Sequence, residues 1–154
     1  MRSKITIHQV NLHTPGLLRQ EWVQMRNALL PQGLEAMEAS LADLQRLGVN
    51  YVGFAAKTKE GELAGFAEAS LRPYVNGCET APVAFLEGIY IHPPYRQQGL
   101  ARWLIEEVEA WAKTCGCTEL GSDALTDNLS SHAMHEALGF TETERVIYFR
   151  KPLV

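Results

Sequence analysis

The chain has 154 residues, of which 46% are hydrophobic, so it is long enough for one domain, and no stretch is long and apolar enough to cross a membrane. Its net charge of −4 at pH 7 argues against a general nucleic-acid-binding protein, but it leaves a small cationic ligand open. We therefore expect a single domain over residues 1–154, with no nucleic-acid or membrane partner.

The N-terminus and the cysteines both favour a cytoplasmic protein. The first residues carry positive charge, but the alternating pattern after them predicts a strand instead of the apolar core of a signal peptide. The cysteines number 3, and Cys115 and Cys117 are too close in sequence to pair readily. A reducing compartment is the simplest interpretation. Neither these cysteines nor His132 and His135 have further ligands at zinc-type spacing, so we predict no metal site.

The first third of the chain predicts one strand and two helices. Residues 5–10 alternate as a strand does. Thr14 can cap the following helix and Pro15 suits its first turn. The helix has an apolar stripe at spacings of three and four, formed by Leu18, Trp22, Met25 and Leu29. A second helix is predicted over residues 34–47, with Gly48 as its C-terminal stop.

The remaining residues predict a hairpin, a third central strand and alternating helices and strands. The predicted strands cover residues 51–58, 63–71, 83–91, 119–122 and 143–150, and the predicted helices cover residues 100–115 and 128–138. The order is β-α-α-β-β-β-α-β-α-β. We therefore predict an α/β (α+β) fold with a single mixed, mostly antiparallel sheet and helices on both faces.

The loop between strand 83–91 and the next helix has the properties of an anion site. It contains Arg96, Gln97, Gln98, Gly99, Leu100 and Ala101. Small residues let backbone amides approach an anion, the helix N-terminus adds its dipole, and Arg96 adds positive charge. The loop lacks the glycines of a dinucleotide fingerprint or a P-loop. It therefore predicts a pyrophosphate site, with an ordinary capped helix and a surface arginine as the alternative.

The helix predicted over residues 128–138 carries a polar face. Asn128, His132 and His135 are spaced four and three residues apart, so they share one side of the helix. Such a face can reach a ligand that lies against the preceding strand. The alternative is a solvated face capped by Asp127 or Asn128.

Together, these features resemble the GNAT superfamily of acetyl-CoA-dependent N-acetyltransferases. Its first motif is a strand followed by Arg/Gln-x-x-Gly-x-Gly/Ala, which matches residues 96–101, and its second is an Asn-bearing helix ending in Leu-Gly-Phe, which matches residues 128–140. The element order fits over the whole chain. Further segments are similar to the aminoglycoside 6'-N-acetyltransferases, namely residues 74–78, 85–91, 122–124, 132–135 and 142–149.

The resemblance implies a site for acetyl-CoA as cosubstrate. The backbone of Ile89, Tyr90 and Ile91 would hold the pantetheine arm as an added strand partner. The amides of residues 97–101, together with Arg96, would hold the pyrophosphate, and Asn128 would bind the arm from the opposite side. In this family the amine attacks the thioester directly, without an acyl-enzyme, so the cysteines are not needed as nucleophiles.

The resemblance also implies an acidic site for a cationic aminoglycoside. Acetyl transfer needs a neutral amine, and a carboxylate can attract the ammonium and accept its proton. Glu87 and Asp123 match the family's acids, for catalysis and for substrate binding. Glu144 matches a further substrate acid, which the resemblance allows to come from across a homodimer interface, and Tyr74 matches a loop residue that packs on the substrate. A solvated surface carboxylate is the alternative for each acid.

Two positions depart from the family pattern. Many members have a tyrosine four residues before the helix-ending glycine, where it can protonate the departing thiolate. Here that position is His135, so either this histidine is the acid or the thiolate leaves to solvent. The aminoglycoside branch commonly has a tryptophan where this chain has Leu30. That change leaves the breadth of drug recognition open.

Two other functions remain open from the sequence. An acetyltransferase of this family could act on a polyamine, another amino sugar or a protein amine. A catalytically silent acyl-CoA-binding module is the second alternative, which intact Glu87, Asp123 and Asn128 disfavour. We expect a homodimer formed through the predicted C-terminal strand, whose residues 146–149 are apolar.

Overall fold

The computed structural model describes residues 4–10 and 16–154. The predicted cap and first-turn residues Thr14 and Pro15 lie outside this part. The described elements are β1 (Ile5–Gln9), α1 (Leu17–Leu29), α2 (Leu34–Gln45), β2 (Tyr51–Thr58), β3 (Leu63–Arg72), β4 (Val83–Ile91), α3 (Leu100–Thr114), β5 (Leu120–Gly121) and α4 (Leu129–Ala137). Within the described ranges, no helix has the length and apolar character needed to cross a bilayer.

The strands form one five-stranded sheet in the order β1-β2-β3-β4-β5. The first three neighbouring pairs are antiparallel, whereas β4 and β5 are parallel. Gly61 adopts a φ of 85° in the tight turn between β2 and β3, a conformation that favours glycine. The predicted mixed, mostly antiparallel sheet is therefore confirmed.

Helices α1 and α2 cover one face of the sheet. Trp22 and Leu41 are fully buried, and the Trp22 ring lies 4.8 Å from the Phe66 ring of β3. The apolar stripe predicted from the sequence thus supplies this contact. Burial of each such side chain contributes about 1.5–3 kcal/mol to folding.

Helix α3 covers the opposite face. Its buried positions recur at helical spacing, and they are Leu100, Leu104, Ile105, Val108 and Ala112. They pack on small and branched side chains of β2, β3 and β4, which include Val52, Ala67, Ala69 and Leu86. Helices therefore lie on both faces, as the element order predicts.

Two irregularities in β4 shape the middle of the sheet. Glu68 pairs with Gly88 and Ala69 pairs with Leu86, so Glu87 is an extra residue at a β-bulge. On the other edge, β4 pairs with β5 only at Ala84 and Phe85. Beyond these pairs, an opening separates residues 86–91 from the chain between residue 122 and residue 128. We call this opening the wedge. Bulges bend a strand and redirect its side chains.

The predicted strand at residues 143–150 is wrong. The structure has no helix or strand in residues 141–154, and Ile147, Tyr148 and Phe149 are 79%, 78% and 90% exposed. A strand persists only when its backbone groups pair with a neighbour. Within the described residues no strand pairs with this segment, and β5 is itself only 2 residues long.

Candidate active site

The 96–101 loop presents uncapped backbone amides at the start of α3. Gln97 and Gly99 have φ values of 61° and 80°, and Gly99 occupies the N-cap position without any side-chain capping bond. The first four amides of a helix have no intrahelical acceptor. Apart from the chain neighbours of Gly99, no described residue lies within 4 Å of the position that its Cβ would take. Open space in front of free donors fits an anion such as a pyrophosphate.

Arg96 is held beside this loop by the end of β4. Its Nε atom donates a 2.8 Å hydrogen bond to the carbonyl of Ile91, and its guanidinium lies 5.4 Å from the centre of the Tyr90 ring. In the part of the chain that the structure describes, the terminal nitrogens of this guanidinium have no acceptor, so their donors remain for a ligand. The structure therefore places the predicted cationic residue, Arg96, beside the predicted loop amides.

The wedge exposes one hydrogen-bonding edge of β4. Ile89, Tyr90 and Ile91 pair with β3 on one side. On the other side the described chain supplies no strand partner, because pairing with β5 ends at Phe85. Unpaired backbone groups need a hydrogen-bonding partner, so an extended ligand can add there like a strand.

Glu87 projects from the bulge as a fixed carboxylate. Its Oε1 atom accepts hydrogen bonds from Ser70 Oγ at 2.6 Å and from Arg72 Nη2 at 2.8 Å. The Glu87 side chain is 14% exposed, while Ser70 is buried. The guanidinium of Arg72 also stacks 3.8 Å from the Phe85 ring centre. The carboxylate is thus oriented at the edge of the wedge, where it can attract a cationic amine.

A buried ionic network supports the bulge from the α1 side. Glu68 is fully buried, accepts a 2.6 Å hydrogen bond from Trp22 Nε1 and forms an ion pair with Arg26. Burial raises the pKa of Glu68, and the Arg26 guanidinium opposes that rise. Burial, followed by the charge of Glu68, also raises the pKa of Tyr51. The network ties α1 to β3 beside Gly88.

This network was not predicted from the sequence, although one signal was present. Glu68 is an acidic residue inside an otherwise apolar strand, which indicates either a functional carboxylate or a buried ion pair. Its register next to the bulge brings the end of α1 close to the site. Leu29 Cδ2 lies 3.3 Å from the position of a Cβ on Gly88.

Asn128 serves as the N-cap of α4. Its Oδ1 atom accepts hydrogen bonds from the Ser131 amide and from Ser130 Oγ, both at 3.2 Å. The structure therefore confirms the capping role of Asn128, which was one of the alternatives predicted from the sequence. The side-chain NH₂ group has no partner among the described residues, so capping leaves its donors available to a ligand.

His135 is fixed between α4 and the end of β5. Its Nδ1 atom lies 2.7 Å from the Ser131 carbonyl oxygen, and its Nε2 atom lies 2.7 Å from Ser122 Oγ. The Phe140 ring meets the imidazole edge-on at 5.1 Å. The His132 side chain has a different partner, because its Nε2 atom lies 2.8 Å from the Leu125 carbonyl oxygen. In the described residues no three metal-ligating side chains come together.

The remaining predicted residues lie on exposed segments of the chain. Asp123 follows Ser122 directly after β5 and is exposed. Tyr74, on the loop between β3 and β4, is 69% exposed. Glu144 is exposed on the C-terminal segment, which passes Gly77 so closely that a side chain there would collide with Thr143. Tyr74 and Glu144 therefore belong to neighbouring segments of the same chain.

A further acid, which was not predicted from the sequence, anchors the loop of Tyr74. Glu119 Oε1 accepts hydrogen bonds from the amides of Glu79 and Thr80, at 2.9 and 2.8 Å, and from Thr80 Oγ1 at 2.5 Å. The hydrogen bond from the Thr80 hydroxyl, followed by that from the Glu79 amide, lowers the pKa of Glu119. The loop is therefore tied to β5.

Known proteins are similar to this chain in both sequence and fold. Residues 18–140 match the acetyltransferase (GNAT) family. A relative from Acinetobacter genomosp. 13, named aminoglycoside N(6')-acetyltransferase type 1, is 49% identical over 137 residues, which are 87% of this chain and 92% of the relative. One of the same name from Serratia marcescens is 47% identical over 135 residues, covering 86% of this chain and 91% of the relative.

Solved structures agree with these relatives. An aminoglycoside antibiotic 6'-N-acetyltransferase from Acinetobacter baumannii has a TM-score of 0.87 and 40% identity, covering 97% of this chain and 99% of that chain. AAC(6')-Iy, solved with the bisubstrate analogue CoA-S-monomethyl-acetylneamine, has a TM-score of 0.82 and 39% identity over the same shares. With its family match, its close relatives and its fold in agreement, the chain belongs to the acetyltransferase (GNAT) family.

Proposed function

We propose that the protein transfers the acetyl group of acetyl-CoA to the 6'-amine of aminoglycoside antibiotics and thereby confers resistance to them. The observation that carries this proposal is the Glu87 carboxylate at the bulge of β4. It stands on the strand whose open edge leads to the uncapped start of α3. The names of the relatives at 40–49% identity supply the acceptor.

Acetyl-CoA binds along the wedge. The backbone of residues 89–91 pairs with the pantetheine arm, and the amides of residues 97–101 bind the pyrophosphate together with Arg96. Asn128 donates to the arm from the α4 side. The uncapped α3 terminus and the unpaired edge of β4 support these roles. When bound, acetyl-CoA supplies an activated acetyl thioester, and a neighbouring structure contains a CoA-derived analogue.

The acceptor amine binds at the acidic end of the wedge. Glu87 and Asp123 attract its ammonium group and accept its proton, directly or through water. Glu144 adds negative charge, and Tyr74 packs on the sugar. The 14% exposure of Glu87 supports its role, because a partly desolvated carboxylate attracts a cation more strongly than one in bulk water.

The protein acts in the cytoplasm as a homodimer, with residues 1–154 forming one acetyltransferase domain. Free thiols at Cys78, Cys115 and Cys117 suit a reducing compartment. The exposed apolar residues Ile147, Tyr148 and Phe149 support a protein partner. A groove of about 380 Å³, between β5, the end of α3 and the chain after α4, offers a second copy of this segment a place to dock.

One observation favours a second acceptor class. Leu30, at the position of the branch tryptophan, is 54% exposed and provides no aromatic wall for a sugar ring. A smaller or more flexible amine, such as a polyamine, would tolerate this loss. Acetyl transfer itself does not depend on the difference.

The test is CoA release by the purified protein with acetyl-CoA and tobramycin or kanamycin, compared with spermidine. Turnover with the drugs that falls about 100-fold in Asp123→Asn supports the proposal, since a general base contributes about 100-fold or more. Turnover with spermidine alone would move the function to the second acceptor class. No turnover with any amine, despite acetyl-CoA binding, would favour a silent binding module.

A further inference from the structure

Ser122 and His135 form a hydrogen-bonded pair whose hydroxyl has no other protein partner among the described residues. Ser122 Oγ lies 2.7 Å from His135 Nε2, and both side chains are half-buried. The pair links the end of β5 to the last turn of α4. Neither structural capping nor metal binding accounts for it.

The surroundings of His135 fix where its protons lie. The Ser131 carbonyl, 2.7 Å from Nδ1, can only accept a hydrogen bond, so Nδ1 carries a proton. In the neutral ring Nε2 therefore accepts from Ser122. In the cationic ring Nε2 donates to Ser122 Oγ, and the hydroxyl is then free to donate onward. Both protons of the cation thus have an acceptor.

The pair lies at the closed end of the wedge. Pairing between β4 and β5 ends at Phe85 and Gly121, and Ser122 is the next residue of the chain after this pair. Adjacent strands are about 4.8 Å apart. A ligand arm that starts at the 96–101 loop and follows the open edge of β4 reaches this point last. An arm bound in this way would have Ser122 on one side of its reactive end and the bulge of Glu87 on the other.

We propose that Ser122 is a catalytic residue that donates a proton to the departing sulfur, and that His135 is the positioning residue that resupplies this proton. The inference rests on the proposed acetyl transfer. As the carbon–nitrogen bond forms and the carbon–sulfur bond breaks, the bonding electron pair goes to sulfur. The Ser122 Oγ proton moves to sulfur, and the His135 Nε2 proton moves to Oγ. His135 becomes neutral, and water restores its proton. The protons of the amine leave through the acids at the other side of the wedge.

The hydroxyl, and not the imidazole, is the group that meets the sulfur. Ser122 occupies Nε2, while the Ser131 carbonyl and the Phe140 ring hold the other side of the imidazole. The ring could reach a ligand directly only by giving up these contacts. A serine hydroxyl accepts one hydrogen bond while it donates another, which is what a relay requires.

The kinetic experiment compares Ser122→Ala with Ser122→Thr, which keeps the hydroxyl, using acetyl-CoA and tobramycin. We expect Ser122→Ala to lower kcat about 100-fold, in line with the loss of an acid catalyst, while both KM values stay within about twofold. Ser122→Thr should recover kcat to within about tenfold of the wild-type value. A Ser122→Ala kcat within about threefold of wild type, or an equal loss in both variants, would overturn the proposal.

A double variant tests whether the two residues act as one unit. His135→Gln should lower kcat about as much as Ser122→Ala, and the double variant should be at most about threefold worse than the poorer single variant. Additive losses would show two independent structural effects and contradict the relay. Acetyl-CoA affinity by calorimetry and the melting temperature should be unchanged in Ser122→Ala, so that a misfolded variant is recognised.

A readout without turnover separates this proposal from the proposed function. The imidazole nitrogens of His135 in the free protein, followed by nitrogen NMR, should show Nδ1 protonated and Nε2 hydrogen-bonded. Ser122→Ala should shift the Nε2 resonance and leave Nδ1 nearly unchanged. If the wild-type protein does not acetylate tobramycin but Ser122→Ala still shifts the Nε2 resonance, the proposed acceptor amine is wrong and the Ser122–His135 hydrogen bond is supported. An unmoved Nε2 resonance would overturn the relay whatever the activity.

Discussion

Arg72 donates a 2.8 Å hydrogen bond to the same carboxylate oxygen of Glu87 that accepts from Ser70. The other oxygen, Oε2, has no hydrogen-bond partner among the described residues. One oxygen therefore fixes the carboxylate and the second is available to a cationic ligand. Because Arg72 is 41% exposed, solvent screens its charge, and Glu87 keeps an attraction for an ammonium group.

Replacement of this carboxylate tests the acceptor site. Glu87→Gln keeps the shape of the side chain but removes its charge, so we expect kcat/KM for tobramycin to fall about 10- to 100-fold, the range of about 1.4–3 kcal/mol for a charge-assisted hydrogen bond. The KM for acetyl-CoA should not change. Steady-state kinetics with each substrate varied in turn measures both. Glu60→Gln, in the exposed turn between β2 and β3, is the matched control.

Much of the fold could be predicted from the sequence because its elements carry strong local signals. Helix α3 repeats apolar residues at 3.6-residue spacing, and its buried positions follow that pattern. The 96–101 loop could be identified because its function needs small residues and a positive charge at a helix start. These features depend on neighbouring residues in the sequence.

Features that depend on partners distant in the sequence could not be predicted. The bulge at Glu87 follows from the register between β3 and β4, and the Arg26–Glu68 ion pair joins residues 42 positions apart. Residues 143–150 have a strand-like pattern, but a strand also needs a neighbour to pair with. The hydrogen bond between Ser122 and His135 likewise depends on how α4 packs beside β5.

The cofactor loop can be tested through Arg96. Arg96→Ala should weaken CoA binding about 10- to 100-fold, because it removes a charge-assisted contact worth about 1.5–3 kcal/mol. Titration calorimetry with CoA measures the dissociation constant directly, and the loss should shrink at high salt. Arg46→Ala removes an exposed arginine at the end of α2 and should bind CoA like the wild-type protein. Equal affinity in Arg96→Ala would remove this residue from the cofactor site.

The buried ion pair between Arg26 and Glu68 should be important for stability. Arg26→Met leaves the Glu68 carboxylate buried without its cation, which should lower the free energy of unfolding by about 3–5 kcal/mol. The double variant Arg26→Met/Glu68→Leu removes both charges and should recover much of that loss. Urea unfolding at neutral pH measures the stabilities of the wild-type protein and of both variants. A single variant as stable as the wild-type protein would mean that solvent reaches Glu68.

Glu119 should make the anchoring of the Tyr74 loop depend on pH. Hydrogen bonds lower its pKa in the folded protein, so the folded state binds the proton less readily than the unfolded state. Its stabilising effect is therefore complete above the unfolded pKa of about 4.3 and is lost as the pH falls through the lower folded value. The stability difference between wild type and Glu119→Gln should shrink between about pH 6 and about pH 3. Glu62→Gln, on an exposed turn, should show no such change.

The C-terminal segment should determine the oligomeric state. Ile147 and Phe149 are 79% and 90% exposed, so charged substitutions there should not disturb the folded monomer. They should, however, prevent the apolar segment from docking on a second copy beside β5. We expect sedimentation velocity to show a dimer for the wild-type protein and a monomer for Ile147→Lys/Phe149→Lys, with Leu153→Lys as a control that remains dimeric. A wild-type protein that sediments as a monomer at micromolar concentration would refute the dimer, and Glu144 would then serve the acceptor site of its own chain.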